Sequence, residues 1–374
     1  SIVLLMPRLA PSAAAGSVGR APDVRRGCWD VFGQLSFNYG FQSGPHMQPI
    51  GAMLRAVMGL KEMGADVDPL LPVQQSRADE ASVQAGEQFQ PLSQTPAAAA
   101  DESRTDPNSV GFPIPSIPVP GALIRQLPRL SIDPTKITSR GSSSGGDMAI
   151  QFQVGFSSLI KGVCGQDAQP FGCAATRFKG DYLLPQSPAS SVPHCLGCLQ
   201  NQTLLYDHCK SHSQWVDVAA LATSAKRVPK CEGDRGGNSA HCIDGMDNLQ
   251  SSRVFLARGE CRTYTGSAVE NSRDLYKALG TREVRYFDQC RPDGSHKPNR
   301  TAPMCFEHLY GTLKKAAVPN PLHLHFFDQT PFLVDVNVGF SPWGFVYIPG
   351  GCKSSDAATK CGLQVQFHGC GGGL

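Results

Sequence analysis

The segment from residue 137 to residue 149 constrains the fold of this chain more than any other. It runs from a β-branched stretch through Gly141, Ser143 and Gly145 into a run that is compatible with a helix. This G-x-S-x-G spacing is typical of a sharp strand-to-helix turn that lifts one serine hydroxyl above a sheet, at the helix N-terminus. Glycines flank the serine because so tight a turn has no room for a Cβ. The pattern makes Ser143 a candidate nucleophile, and the alternative is a flexible loop rich in glycine and serine.

Short apolar runs alternate with helix-like segments along most of the chain. The predicted strands are residues 1–7, 137–141, 160–164, 253–258, 283–287, 343–348 and 363–367. The predicted helices are residues 44–63, ended by Gly64, and residues 144–158, 268–279 and 302–316. This alternation predicts one α/β domain over residues 1–374, with a mostly parallel sheet and right-handed crossovers.

Two long stretches interrupt the alternation. Residues 65–128 are rich in proline, alanine and serine, and we interpret them as an irregular insertion on the surface. Residues 166–250 lack clean periodicity and hold six cysteines, which predicts a disulfide-held excursion and a candidate lid.

The fourteen cysteines indicate an oxidising compartment. They are scattered along the chain, and the sequons at Asn201 and Asn299 permit glycosylation, so a secreted or extracellular protein is predicted. The chain begins on a strand-like run without a leader pattern, which we interpret as a mature or trimmed sequence. Three disulfides are predicted to close short loops: Cys352–Cys361, Cys290–Cys305 and Cys231–Cys242.

Other classes of function are disfavoured by composition. The formal net charge of +3 and the pI near 8.2 are too mild to predict a nucleic-acid partner. No apolar run reaches the length of a transmembrane helix. Cys195, Cys198 and Cys209 with their neighbouring histidines could form a zinc site, but disulfides are favoured there, so neither a metal nor a cofactor is predicted.

Three separated motifs carry a resemblance to a known family. The block at residues 130–149 resembles the extracellular polyhydroxybutyrate (PHB) depolymerases, and it is most similar to the fungal, circularly permuted type. Residues 344–370, with their Cys352/Cys361 loop, and the Gly-Cys-Trp segment at residues 27–29 are similar to the same family. The resemblance implies a disulfide-rich α/β-hydrolase-like fold and a secreted serine esterase that acts on a hydroxyalkanoate polyester or a small ester.

The resemblance also implies roles for particular residues. Ser143 is the implied nucleophile, and His296 is the implied base. The backbone N–H groups of Ser144 and Cys370 are the implied oxyanion hole, and Cys370 is implied to pair with Cys28.

The sequence departs from the family at the acid. Arg262 stands where the family has its aspartate, and a cation there disfavours the imidazolium that forms during attack. Glu260 and Asp293 are candidate substitutes, as is Asp288.

The order of the segments also departs from the family. The strand that should follow residues 368–370 matches residues 1–7, so we predict a circular permutation that differs from the ordinary and the fungal arrangements. The helix that should connect them is absent from the sequence. We therefore expect residues 65–128 or a protein partner to cover the flank that this helix leaves near residues 368–370.

Three interpretations of function remain open from the sequence. The first is a secreted serine ester hydrolase of the PHB depolymerase type. The second is a catalytically impaired or inactive descendant with a structural or binding role, which Arg262 favours. The third is a carbohydrate-ester hydrolase, because feruloyl and acetylxylan esterases look similar in this region.

Overall fold

We describe the fold from a computed structural model. It describes residues 1–10, 22–36, 38–60, 125–174, 209–210, 216–231, 241–259, 261, 266–291, 293–295, 297, 300–312, 320–333, 338–352 and 360–371. Most of the predicted insertion and much of the predicted excursion, including Cys195 and Cys198, lie outside these residues.

An eight-stranded sheet organises the described residues. Its strands in chain order are β1 (Ile2–Met6), β2 (Ile132–Ser142), β3 (Gly162–Gln166), β4 (Arg253–Arg258), β5 (Glu283–Asp288), β6 (Leu324–Asp328), β7 (Trp343–Tyr347) and β8 (Cys361–Phe367). Their order across the sheet is β5-β4-β3-β2-β8-β1-β7-β6. Strand β7 runs antiparallel to β1 and β6, and the other neighbouring pairs are parallel. The predicted α/β fold with a mostly parallel sheet is confirmed.

Strands β1 and β8 are parallel neighbours in the middle of this sheet. The strands that lie furthest apart along the chain are therefore side by side, an arrangement that the predicted permutation requires. The permutation itself stays a prediction.

Six α-helices accompany the sheet in the part of the chain that the structure describes. They are α1 (Pro22–Arg25), α2 (Met47–Met58), α3 (Ser144–Gly155), α4 (Val218–Arg227), α5 (Gly266–Ala278) and α6 (Thr301–Tyr310). Helix α2 ends earlier than predicted, because Gly59 rather than Gly64 takes the left-handed conformation at its C-terminus (φ 64°).

The sheet is buried on both faces. Val163, Val254 and Leu256 contribute to the main core, which includes residues of α2, α3 and α5. Their neighbours Cys164 and Phe255 point the opposite way, because successive strand residues alternate, and they form a second cluster with α6. Helix α3, directly behind Ser143, is buried along its whole length. This packing fixes the position of the turn that carries Ser143.

Candidate active site

Ser143 lies in a strained turn between β2 and α3. Its backbone angles are φ 55° and ψ −128°, which a non-glycine residue adopts at an energetic cost. The N–H of Ser143 donates to the carbonyl of Gln166 at 3.0 Å, and its own carbonyl accepts from Asp147 N at 3.0 Å. A strained serine between a strand and a helix is the geometry of a nucleophile elbow.

The two glycines of the motif are required by close main-chain contacts. A Cβ on Gly141 would lie 2.1 Å from the carbonyl oxygen of Gly145. A Cβ on Gly145 would lie 2.4 Å from the carbonyl oxygen of His368. The turn therefore packs with its backbone directly against the segment that follows β8.

That segment, residues 368–370, lies beside Ser143. The position of a Cβ on Gly369 would be 4.0 Å from the Cβ of Ser143. The Sγ of Cys370 is 3.4 Å from the Oγ of buried Ser144, and Cys370 forms a disulfide with Cys28. The two residues whose N–H groups are implied to form an oxyanion hole are thus neighbours.

Hydrogen bonds of His368 orient the peptide between Gly369 and Cys370. The N–H of Leu9 donates to Nε2 of His368 at 3.0 Å, so the neutral ring carries its proton on Nδ1. Nδ1 donates to the carbonyl of Gly369 at 2.7 Å, and this carbonyl shares a rigid peptide plane with the N–H of Cys370. Burial lowers the pKa of His368 to about 4, so the ring is neutral and this pattern persists at neutral pH.

Trp29 supports the same segment from the core. Its side chain is fully buried, and its Nε1 donates to the carbonyl of His368 at 3.0 Å. The Gly-Cys-Trp motif therefore holds residues 368–370 in two ways, through this hydrogen bond and through the Cys28–Cys370 disulfide. Trp29 therefore packs in the core and supports this segment from within.

The predicted base and one candidate acid lie outside the described residues. These are His296 and Glu260, and the same holds for Arg262 and the two sequon asparagines, Asn201 and Asn299.

Two candidate acids, Asp293 and Asp288, are described, and Asp293 lies in an exposed turn. Its exposed carboxylate accepts hydrogen bonds from the N–H and the hydroxyl of Ser295, at 2.9 and 2.6 Å. These bonds lower the pKa of Asp293 below its usual range. Its carboxylate stabilises the turn in which it lies.

The disulfides depart from the sequence prediction at one pair. Cys290–Cys305 is wrong, because Cys290 pairs with Cys261 and Cys305 pairs with Cys164. Cys305 lies on the buried face of α6 and so faces the sheet, where Cys164 belongs to β3. Cys261 and Cys290 follow β4 and β5, two adjacent parallel strands whose C-terminal loops meet. The described structure also contains Cys28–Cys370, Cys352–Cys361, Cys231–Cys242 and Cys173–Cys209.

A buried ionic cluster beneath Ser143 was not predicted from the sequence. The Nζ of Lys210 is 2.5 Å from a carboxylate oxygen of Asp147 and donates to the main-chain carbonyl of Asp167 at 3.3 Å. All three residues are buried. Burial raises the pKa of Asp147, and the ammonium of Lys210 acts against that rise. The sequence signal that could have revealed the cluster is the aspartate within the otherwise small and apolar start of α3.

Metal binding finds no support in the described part of the chain. Within it, no group of three or more histidine, cysteine or carboxylate side chains could hold a metal ion. Cys209, weighed as a zinc ligand, forms a disulfide with Cys173.

The sheet and the strained serine define the class of this protein. It has an α/β-hydrolase-like fold in which the backbone at Ser143 has the geometry of a nucleophile elbow.

Two curated relatives of this chain are PHB depolymerases, although no family model matches the chain. Over 276 residues it is 28% identical to a poly(3-hydroxybutyrate) depolymerase from Delftia acidovorans, a match that covers 65% of this chain and 47% of that protein. Over 259 residues it is 23% identical to a polyhydroxybutyrate depolymerase from Talaromyces funiculosus, covering 65% and 67% of the two chains. The predicted resemblance to PHB depolymerases is confirmed, and the chain spans about half the length of the bacterial relative.

Two solved structures are also similar. One is a PHB depolymerase variant complexed with R3HB trimer (TM-score 0.44, 19% identity), and the other is the PHB depolymerase from Penicillium funiculosum (TM-score 0.45, 20% identity). Each match covers 66% of this chain and 72% of the other chain.

Proposed function

We propose that this chain is a serine ester hydrolase that acts on hydroxyalkanoate polyesters or related esters. The observation that carries the proposal is the backbone of Ser143, held in a strained turn against residues 368–370. The names of the two relatives, both PHB depolymerases, support the substrate class.

The proposed reaction has two acyl-transfer steps. The Oγ of Ser143 attacks the ester carbonyl while His296 accepts its proton, and the resulting oxyanion accepts hydrogen bonds from the N–H groups of Ser144 and Cys370. The intermediate expels the alcohol, which takes the proton from His296, and leaves an acyl-enzyme on Ser143. Water, deprotonated by His296, then releases the acid and restores the serine.

We also propose that the protein is secreted. Six disulfides among the described residues are typical of an oxidising compartment. Within the described residues no helix has both the length and the apolar character to cross a bilayer. Glycosylation at Asn201 and Asn299 stays a prediction, as does a partner on the predicted flank.

A fluorescent phosphonate that reacts with activated serines tests the chemistry. We expect it to label the wild type and the Ser251→Ala control, whose substituted side chain is exposed, and not Ser143→Ala. The wild type and Ser251→Ala should hydrolyse a soluble p-nitrophenyl ester, and Ser143→Ala should not. An unlabelled, inactive wild type would instead support the non-catalytic descendant.

The substrate class needs a separate measurement. We expect the wild type to clear a suspension of PHB granules and to release 3-hydroxybutyrate oligomers. Activity on feruloyl or acetylxylan esters without granule clearing would assign the chain to the carbohydrate esterases.

A further inference from the structure

Asp167 lies next to the proposed nucleophile. It directly follows β3, and the register of β2 with β3 pairs Ser142 with Gln166, so Ser143 and Asp167 leave adjacent parallel strands at the same level. The Gln166 carbonyl that accepts the N–H of Ser143 belongs to the peptide that joins Gln166 to Asp167. The carboxyl ends of parallel strands are where an α/β fold assembles its reactive groups.

The backbone of Asp167 is strained like that of Ser143. Asp167 has a φ of 53° and Ser143 a φ of 55°, and within the described residues these are the non-glycine residues with a positive φ. Such strain persists where the surrounding structure enforces it, and it concentrates at active sites. The main-chain N–H of Asp167 donates to Ala257 at 2.9 Å, which holds it in place.

The carboxylate of Asp167 reaches the end of β4. Its Oδ1 accepts a hydrogen bond from the N–H of Gly259 at 2.7 Å. The triad acid was expected three residues after Gly259, where the sequence has Arg262. The buried carboxylate of Asp167 is therefore bound at the start of the loop after β4, which is the loop that lacks the expected triad acid.

The neighbouring charges suit an aspartate that faces an imidazolium. Lys210 pairs with Asp147, so its ammonium balances the charge of that residue. With Asp147 and Asp167 both ionised, these three buried side chains together carry one negative charge. A buried negative charge favours a protonated histidine nearby.

The other described candidate acids, Asp293 and Asp288, also accept hydrogen bonds. Asp293 is exposed and binds Ser295 in its own turn. Asp288 accepts from the N–H of Cys290 at 2.9 Å and lies 3.6 Å from a guanidinium nitrogen of Arg258.

We propose that Asp167 is the positioning residue that orients the base histidine and stabilises its imidazolium, in place of the acid lost at position 262. The inference rests on the proposed function. In this proposal the triad acid lies at the end of β3 instead of in the loop after β4, one strand closer to the nucleophile.

Asp167→Asn is the direct test, because the amide oxygen still accepts from Gly259. We expect kcat on a soluble ester to fall on the order of 10⁴-fold, with the acid limb of kcat/KM shifted to lower pH because the imidazolium loses its partner. Asp167→Glu keeps a carboxylate and should retain part of the activity. Asp247→Asn, an exposed aspartate, is the matched control and should behave as the wild type.

The results for the Asp167 variants and the wild type distinguish a failure of this inference from a failure of the proposed hydrolase function. A folded Asp167→Asn with wild-type kcat overturns the inference and leaves the proposed function standing. So does a loss of activity with an unshifted pH profile that Asp167→Glu does not relieve, since that result assigns a purely structural role. A wild type that is inactive and unlabelled at Ser143 overturns the proposed function and the inference together. Thermal unfolding of each variant identifies any loss of activity that is due to misfolding.

Discussion

Gly145 is the residue at which the elbow meets residues 368–370. In Gly145→Ala the new Cβ would lie 2.4 and 2.5 Å from the carbonyl oxygens of His368 and Phe367, which are main-chain atoms and cannot rotate away. We expect a loss of about 1–3 kcal/mol in the free energy of unfolding from overpacking. We also expect kcat to fall on the order of 10²-fold, because residues 368–370 must shift.

Urea denaturation and esterase assays measure the two effects of Gly145→Ala. Gly245→Ala is the matched control, since the nearest neighbour of its added Cβ is 3.5 Å away. Equal stability and activity in the two variants would contradict the close packing at Gly145.

Lys210 balances a carboxylate that has no access to solvent. In Lys210→Met, Asp147 stays buried without its ammonium, and we expect a loss of about 3–5 kcal/mol in the free energy of unfolding. Adding Asp147→Asn removes the unpaired charge and keeps the acceptor for the N–H of Gln169, so the double variant should recover much of the loss. Lys230→Met breaks an exposed pair with Asp247 and should cost less than about 1 kcal/mol. Chemical denaturation of the four proteins checks this order.

At the scale of elements, the Cys261–Cys290 disulfide joins the loops after β4 and β5. These loops carry Gly259, which binds Asp167, and the segment that leads to His296. We expect Cys261→Ser/Cys290→Ser to lower kcat at least 10-fold. Without the disulfide, the loop after β5, which leads to the proposed base His296, is no longer linked to the loop after β4.

Removal of Cys231–Cys242 is the matched comparison for this disulfide. Their sequence separations of 29 and 11 residues predict similar stabilisation from loop closure, about 3.6 and 2.8 kcal/mol. Both double variants should therefore lose comparable stability, whereas only the first should lose activity. An equal loss of kcat in both would show that the effect is global.

The elements differ in how readily the sequence predicts them. β4 has a continuous apolar run at residues 254–257, and β8 has apolar residues that alternate with Gln364 and Gln366, so both patterns indicate strands in the sequence. β6 was missed because it is an edge strand in which Phe327 is the one fully buried residue. α4 was missed because its buried face is built largely from small residues, although Asp217 caps it by accepting from Ala220.

The residues of the candidate site also differ in how readily the sequence predicts them. The elbow at Ser143 is contiguous in sequence and is therefore readable as a motif. The contacts of Asp167 with Gly259 and Lys210 join segments far apart in the chain, and only the fold brings them together. Cys290 illustrates the same limit, since its nearest cysteine along the chain in the C-terminal direction is not its partner.

At the scale of the whole molecule, two buried histidines make the fold sensitive to acid. Burial lowers the pKa values of His46 and His368 to about 4, whereas the unfolded chain titrates near 6.5. Between these values the unfolded state binds more protons, so stability is full above pH 6.5 and falls as the pH drops toward 4. Each histidine contributes on the order of 3 kcal/mol to this fall.

Urea denaturation at pH 7, 6 and 5 measures the acid sensitivity. His46→Gln should remove about half of the slope that the two histidines produce. Its amide provides an acceptor and a donor in place of the ring atoms that bind Asp30 N and the carbonyl of Val338. A slope unchanged by the substitution would assign the acid sensitivity to other groups.

The pairing of β1 with β8 places Ile2 opposite Gly362, 360 residues further along the chain. Contacts at such separation form slowly, because the loop between them must close first. During synthesis on the ribosome, β1 and β2 each present an unpaired edge until residues 361–367 have emerged, and free strand edges promote aggregation. Among the described strands, the centre of the sheet is therefore completed last, and the yield of folded protein depends on how well these edges are shielded until then.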